Sequence, residues 1–230
     1  MIWVYLILGV LPSLVWLSIY LREDEHPEPN LLVLRTFFLG ALAAPLAAGM
    51  EFLLVRWLET SFLPALLVQI LVFFVAIAWV EEYWKYLAVK LTMARDHSFD
   101  EPTDAMIYLI VAALGFAAVE NVLALFNFVE SVPEALELAL LRFLSATLLH
   151  VLASAMVGYG LARERFFLRK GQVAGALVAA SFLHGLYNIL TLSSNGFANL
   201  SATIVVVVLL GLAAIAVNIL FYKLKRNFFL

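Results

Sequence analysis

Two adjacent glutamates and a lysine interrupt an apolar stretch of the sequence, IAWVEEYWKYLAV, at residues 77–89. The glutamates are Glu81 and Glu82, and Lys85 follows about one helical turn later. Residues four apart lie on the same face of a helix, so the ammonium group of Lys85 can neutralise the carboxylate of Glu81 and hold it ionised. An ionised carboxylate is a general base that can activate water. This stretch is therefore a candidate for hydrolytic chemistry.

Further polar groups lie inside later apolar segments of the chain. Glu120 lies in GFAAVENVLAL, His150 lies in ATLLHVLASA, and His184 lies in SFLHGLYNIL with Asn188 one turn later. A charge at the centre of a bilayer costs roughly 2.5–3.5 kcal/mol or more, so such groups are rare and usually functional. Most of them lie near the middle of their segments, which predicts that they meet in one polar cavity. The amide of Asn188 can fix the orientation of the His184 ring, because the two share a helix face.

These residue types permit two kinds of hydrolysis. In the first, a glutamate activates water as the general base, and a histidine or an amide stabilises the oxyanion. In the second, two histidines and a glutamate from three helices hold a zinc ion, and a further glutamate is the base. The signature H-E-x-x-H is absent, so zinc ligands would come from separate helices. The chain has no cysteine, which excludes thiolate catalysis and disulfides.

The elements that must position these groups are membrane-spanning helices. Apolar residues make up 65% of the 230 residues, 13% are charged, and the mean hydropathy is +1.01. Soluble domains are only about half apolar, so the bilayer must be the solvent of this chain. We expect an all-α, polytopic transmembrane bundle of seven or eight spans, in which residues 1–230 form one domain with catalytic helices at about 62–193. The apolar segments are 2–21, 31–57, 62–91, 104–127, 138–162, 172–193 and 200–222.

Details of the segments add three expectations. The second and third segments are long enough to tilt or to contain a break, and Gly40, Pro45 and Gly49 could kink the second. Gly158, Gly160 and Gly185 should allow close helix packing. The N-terminal segment has no basic region before it and is predicted to be a retained span.

The distribution of basic residues predicts the orientation in the membrane. Cytoplasmic loops carry an excess of lysine and arginine, which places the N-terminus outside and the C-terminus in the cytoplasm. The loop FVESVPEALEL on the opposite side is acidic, which favours a cavity that admits water from outside. No basic patch with interleaved aromatic residues indicates nucleic-acid binding. The basic residues that follow the third, fifth and seventh segments are Lys90, Arg95, Arg163, Arg165, Arg169, Lys170, Lys223, Lys225 and Arg226.

Two other functions use the same polar groups. A proton- or ion-coupled transporter would relay protons through glutamate and histidine, although the sequence shows no paired inverted repeats. A non-catalytic scaffold would bind membrane helices through the cavity. Glu51 and Arg56 lie near the end of the second segment, where a charged side chain reaches the interface at little cost, and they receive no role.

The motifs together resemble the PrsW family of intramembrane proteases. EEYWK reads as E-E-x-x-K, FAAVEN reads as F-x-x-x-E-N, a histidine follows in the next span, and HGLYN comes after it. The resemblance extends in order over about residues 20–190. It implies hydrolysis of a peptide bond of a membrane-anchored protein, such as an anti-sigma factor, within the lipid bilayer of a bacterial or archaeal cell.

The family is similar to the membrane proteases that process CAAX proteins and bacteriocins, which share a double glutamate, a later F-x-x-x-H and an H-x-x-x-N. Glu81 and Glu82 match the double glutamate, and His184 with Asn188 matches the last motif. Glu120 stands at the histidine of F-x-x-x-H, which implies a carboxylate ligand or a protonated acid there. The family has been classed both as glutamic-type and as metal-dependent. If zinc is bound, the implied ligands are Glu120, His150 and His184.

Overall fold

The structure is a computed structural model that describes residues 1–23, 27–93, 99–192 and 199–228, and within these residues the ordered elements are helical. This confirms the all-α prediction. Arg95 and the part of the early polar loop at 24–26 lie outside the described residues. The helices are α1 (Ile2–Tyr20), α2 (Asn30–Glu59), α3 (Ala65–Leu71), a π-helix (Val72–Trp79), α4 (Val80–Met93), α5 (Pro102–Phe128), α6 (Val132–Leu144), α7 (Ala146–Arg165), α8 (Gln172–Leu192) and α9 (Leu200–Phe228).

Seven stretches of the described chain are long and apolar enough to cross a membrane. The third consists of α3, the π-helix and α4, and the fifth consists of α6 and α7. The second is one continuous helix that contains Pro45, so it is the third and the fifth spans that depart from a single α-helix. The break in the fifth span lies at Ser145, whose backbone angles are φ −125° and ψ −83°.

Helix α5 is the centre of the bundle. Every residue from Pro102 to Ala118 is buried, and α5 packs against α1, α2 and α7. Two glycines allow the contact with α2, because a Cβ atom at Gly40 would lie 2.0 Å from the carbonyl oxygen of Ala112, and one at Gly115 would lie 1.9 Å from that of Phe37. The backbones of α2 and of the middle of α5 therefore touch directly.

Helices α7 and α8 complete the frame around the polar residues. A Cβ atom at Gly158 of α7 would lie 2.5 Å from the Cα atom of Met106, and one at Gly160 would lie 2.6 Å from the Cβ atom of Ala176 on α8. These distances confirm the close packing predicted from the glycines.

The third span changes helix type directly before the double glutamate. No residue of α3 is buried, whereas the π-helix packs against α8 and α4 packs against α2, α5 and α7. A π-helix has hydrogen bonds from residue i to i+5. Such helices are rare in proteins, and those that occur are often found at functional sites. Here it delivers Glu81 and Glu82 into the first turn of α4, inside the bundle.

Candidate active site

The double glutamate and Lys85 form a buried ion cluster on α4. The Nζ atom of Lys85 lies 2.8 Å from Oε1 of Glu82 and 3.3 Å from Oε2 of Glu81. All three side chains are at least 95% buried in the bundle. The ammonium group also lies 4.4 Å from the ring centre of Phe116 on α5, in a cation–π contact. The spacing prediction for Glu81 and Lys85 is confirmed.

The two glutamates have different surroundings. Glu82 is enclosed, because its Oε2 accepts a hydrogen bond of 3.0 Å from the hydroxyl of Ser154, and its Oε1 lies 3.0 Å from Nδ1 of His184. Glu81 instead lines a polar cavity. Its Oε2 atom lies 3.8 Å from Nδ1 of His150 and 3.7 Å from Nε2 of His184. Of the pair, Glu81 is thus the one that a substrate or water in the cavity can reach.

The ring of His150 is held from both sides. Its Nδ1 atom lies 2.7 Å from Nζ of Lys85, and its Nε2 atom lies 2.7 Å from Oε2 of Glu120. An ammonium group only donates hydrogen bonds, so Nδ1 accepts, and the ring proton is on Nε2 and is donated to Glu120. The lone pair of Nδ1 consequently faces Lys85 and Glu81.

The ring of His184 has a matching arrangement with the nitrogens exchanged. Nδ1 donates to Glu82, which leaves the lone pair of Nε2 on the side of Glu81. We expected Asn188 to orient this ring, but in the structure Glu82 contacts Nδ1. Asn188 lies one turn further along α8 and lines the cavity.

Glu81, His150 and His184 could together hold a metal ion. Each offers one ligand atom, and the three atoms lie within 4.8 Å of one another. Two histidines and a glutamate are a known ligand set for catalytic zinc, and histidine ligands commonly donate their other nitrogen to a carboxylate. Both histidines here make that carboxylate contact. The donor set therefore fits a metal ion.

The charge of the cluster also favours a bound cation. Three carboxylates, from Glu81, Glu82 and Glu120, are paired with one ammonium and one guanidinium group, from Lys85 and Arg142. With both imidazoles neutral, the sum is one negative charge. The ammonium of Lys85 already donates to Nδ1 of His150 and to Oε2 of Glu81, so a metal ion at this position would have to replace it at both atoms.

This ligand group differs from the predicted one at one residue. Glu120 lies beside Nε2 of His150, whereas Glu81 lies beside Nδ1, on the other edge of the ring. An ion between His150 and His184 would therefore meet Glu81, and Glu120 would contact the histidine that binds it. The sequence could not distinguish these places, because they depend on how α5 and α7 pack.

A cavity of about 490 Å³ leads to these groups. Its walls come from α2, the π-helix, the start of α4, the ends of α5 and α8, and α6 and α7. Leu138, Leu141 and Tyr187 form apolar parts of the wall. The polar residues that line it are Glu51, Glu81, Glu120, Asn127, Arg142, Ser145, His150, His184, Asn188 and Thr191.

Among the residues of this region that were not predicted as part of the site are Glu51, Arg142 and Ser154. Glu51 lines the cavity, although its position near the end of the second segment indicated a lipid-interface residue. Arg142 is a charged residue inside the fifth apolar segment, which was a usable signal. Ser154 lies four residues after His150 and so shares its helix face, which was a second usable signal.

The sequence profile described as "PrsW family intramembrane metalloprotease" matches residues 28–215. The chain belongs to this family. It is an intramembrane protease and an integral membrane protein, and membership of the PrsW family does not favour the transporter alternative. No solved structure gives a significant match.

Several PrsW-family relatives are similar over most of their length. Protease PrsW of Oceanobacillus iheyensis is 28% identical over 221 residues, which cover 95% of this chain and 93% of the relative. Protease PrsW of Bacillus subtilis is 31% identical over 192 residues, which cover 81% and 83%. That of Geobacillus kaustophilus is 30% identical over 189 residues, which cover 80% and 78%. The family profile, which matches residues 28–215, includes all the helices that line the cavity.

Proposed function

We propose that this protease cleaves its substrate by metal-assisted hydrolysis, with a zinc ion held by Glu81, His150 and His184. The observation that carries the proposal is the convergence of these three ligand atoms within 4.8 Å, with each histidine held by a second carboxylate. When bound, such an ion lowers the pKa of a water molecule and polarises the peptide carbonyl. The description of the family as metalloproteases supports the same reading.

The residues around the ligands have separate tasks in this proposal. Glu82 fixes the tautomer of His184 and is paired with Lys85, which keeps its carboxylate ionised although it is fully buried. Glu120 does the same for His150. Glu81 is the member of the pair that lines the cavity. As a metal ligand it would help to hold the ion, and the proton of the attacking water would go to another carboxylate that lines the cavity, Glu120 or Glu51. Asn188 offers an amide N–H from the cavity wall to the oxyanion.

The cavity would receive an unwound segment of a membrane-anchored protein. A peptide carbonyl within a helix is hydrogen-bonded, so the substrate must be extended near the scissile bond before water can attack. Polar groups along the cavity wall can satisfy the freed backbone groups within the bilayer. The resemblance to the PrsW family supports an anti-sigma-factor-like substrate, in a bacterial membrane. The catalytic helices are those from α3 to α8, with the C-terminus in the cytoplasm and the cavity open to the outside.

The first experiment measures metal in the protein purified in mild detergent. The parent, His150→Ala and the control Glu137→Gln, whose side chain is exposed on α6, are compared by elemental mass spectrometry. We expect about one zinc per chain in the parent and the control, and a large loss in the histidine variant. A parent that is active in cleaving a membrane-anchored substrate, contains no metal and is unaffected by chelators would overturn the metal proposal in favour of a glutamic mechanism.

A further inference from the structure

The fifth span is interrupted beside the site, and two neighbouring residues of α5 contact both sides of the interruption. Helix α6 ends at Leu144 and α7 begins at Ala146. The hydroxyl of Ser145 at the break donates a hydrogen bond of 2.6 Å back to the carbonyl of Leu141. The residues of α5 that face the break are Glu120 and Asn121.

Asn121 joins the two halves of the span through its amide. Its Oδ1 accepts a hydrogen bond of 2.5 Å from Nε of Arg142, before the break. Its Nδ2 donates one of 3.0 Å to the hydroxyl of Thr147, after the break. Asn121 and Thr147 are almost fully buried, so water cannot replace these bonds at little cost.

Glu120 makes the parallel connection one residue earlier. Its Oε2 lies 3.6 Å from Nη2 of Arg142, before the break, and 2.7 Å from Nε2 of His150, after it. The guanidinium group thus uses Nε on Asn121 and Nη2 on Glu120. A guanidinium group is planar and rigid, so these two contacts fix the relative positions of the amide and the carboxylate.

We propose that Arg142 is a positioning residue, which holds Glu120 against His150 and thereby directs Nδ1 of His150 toward Glu81. Arg142, Asn121, Glu120 and Thr147 form this polar clamp. The inference rests on the proposed function, because it concerns the orientation of one of the proposed metal ligands. It assigns a task to an arginine inside a membrane span, where an unpaired guanidinium group would be costly.

The clamp requires an arginine at residue 142. A lysine there would keep the charge but supply a point donor, which cannot reproduce the planar contact with both Asn121 and Glu120. A glutamine would remove the charge that favours the ionised form of Glu120. Thr147→Val, in contrast, leaves Arg142 in place and removes only the acceptor for the Asn121 amide. These three changes weaken the clamp in different ways while leaving all three proposed ligands intact.

The test compares the parent with Arg142→Gln, Arg142→Lys and Thr147→Val. Arg56→Gln is the matched control, since Arg56 is exposed on α2. Zinc affinity is measured by chelator competition, and the absorption spectrum of the cobalt-substituted protein reports the ligand geometry. Contacts beyond the ligands commonly change metal affinity or activity about 10- to 100-fold. We expect a loss in this range for Arg142→Gln, with an altered cobalt spectrum, a smaller loss for Arg142→Lys and Thr147→Val, and none for Arg56→Gln.

A second readout does not require metal. In protein with ¹⁵N-labelled histidine, the signal of the His150 ring is assigned by its absence in His150→Ala. We expect the Nε2–H signal to move in Arg142→Gln as the bond to Glu120 weakens, and to remain in place in Arg56→Gln. If the parent binds no metal, the metal proposal fails and this signal alone tests the clamp.

The outcomes separate the two proposals. Unchanged zinc affinity, cobalt spectrum and His150 signal in Arg142→Gln would overturn the positioning role, even if cleavage were slower. If Arg142→Gln does not fold, as judged by its elution in detergent, Arg142→Lys and Thr147→Val decide by the same measurements. Parent-like values in both would then overturn the inference.

Discussion

Glu81 and Glu82 are neighbours in the chain, yet Glu81 lines the cavity and Glu82 is sealed beneath it by Ser154, Lys85 and His184. Successive residues of an α-helix are rotated by about 100° about the helix axis. Here that rotation places Glu81 at the cavity and Glu82 in a supporting position behind it. The double glutamate is therefore an asymmetric pair, and its two members should respond differently to substitution.

Glu81→Gln should abolish cleavage while the protein remains inserted and folded. Loss of a carboxylate that acts on water costs about 10²–10⁴-fold in rate, and the amide is also a poorer metal ligand. The measurement is the cleavage rate of a membrane-anchored substrate in proteoliposomes, with Glu137→Gln as the control. Parent-like cleavage by the Glu81 variant would contradict the role of this carboxylate.

Ser154→Ala should lower stability and activity, because it removes the hydroxyl that donates to Oε2 of Glu82. A hydrogen bond to a charged group contributes about 1.5–3 kcal/mol. Ser181→Ala is the matched control, since the Ser181 hydroxyl is also buried but has no hydrogen-bond partner among the described residues. We expect a lower thermal unfolding temperature only for Ser154→Ala. Equal unfolding temperatures would mean that the contact with Glu82 contributes little.

Lys85→Met should destabilise the bundle, whereas Lys90→Met should have little effect on stability or cleavage. Breaking a buried ion pair costs about 3–5 kcal/mol, and Lys85 is fully buried between two carboxylates. Lys90 is exposed on the same helix. Thermal unfolding in detergent and the cleavage rate provide the comparison. Loss of activity in a normally expressed Lys90 variant would mean that its depth in the membrane is wrongly assigned.

Glu51→Gln should weaken the binding of cationic substrates more than that of neutral ones. Glu51 lines the cavity with Glu81 and Glu120, and a partly exposed ion pair contributes about 0.2–1 kcal/mol. We expect KM for a peptide with lysine beside the scissile bond to rise up to about fivefold, with kcat nearly unchanged. Glu59→Gln, on the exposed end of the same helix, is the control. An equal change for neutral and cationic peptides would exclude a charge-selective role.

Gly40→Ala should destabilise the protein, because the new Cβ atom would lie 2.0 Å from the backbone oxygen of Ala112 on α5. Overpacking of this kind costs about 1–3 kcal/mol, and backbone cannot move as a side chain can. A Cβ atom at Gly49 of the same helix would meet no atom of the described residues within 4 Å, so Gly49→Ala should be neutral or stabilising by about 0.4–1 kcal/mol. Thermal unfolding of the two variants, side by side, checks this packing.

Contacts between residues of the same helix could be predicted from the sequence. The pairing of Glu81 with Lys85 followed from their spacing of four residues. The seven spans followed from the lengths of the apolar segments. Contacts between different helices could not be predicted from the sequence, because the spacing of residues does not show which helix faces pack against each other. The hydrogen bonds of Glu82 with Ser154 and His184 cross 72 and 102 residues of the chain, and neither could be placed from sequence.

The length of the third apolar segment allowed for a break there, but nothing in the sequence indicated the interruption in the fifth span. The fifth breaks at Ser145, where neither glycine nor proline marks a helix end. The two sides of the break are joined by a residue of another helix, since Asn121 contacts Arg142 and Thr147. The second span, which was also long enough to contain a break, has none: Pro45 lies within a continuous helix that packs closely on α5.

The π-helix at Val72–Trp79 has a consequence for how this protein can vary in length. A π-turn contains more residues than an α-turn, so a deletion within it can be absorbed by a return to α-helical hydrogen bonding, with α4 left in place. The same deletion between Glu82 and Lys85 would leave the lysine three residues after Glu81 but only two after Glu82, where the two side chains no longer share a helix face. A deletion in the third span is therefore tolerable before the double glutamate and damaging after it.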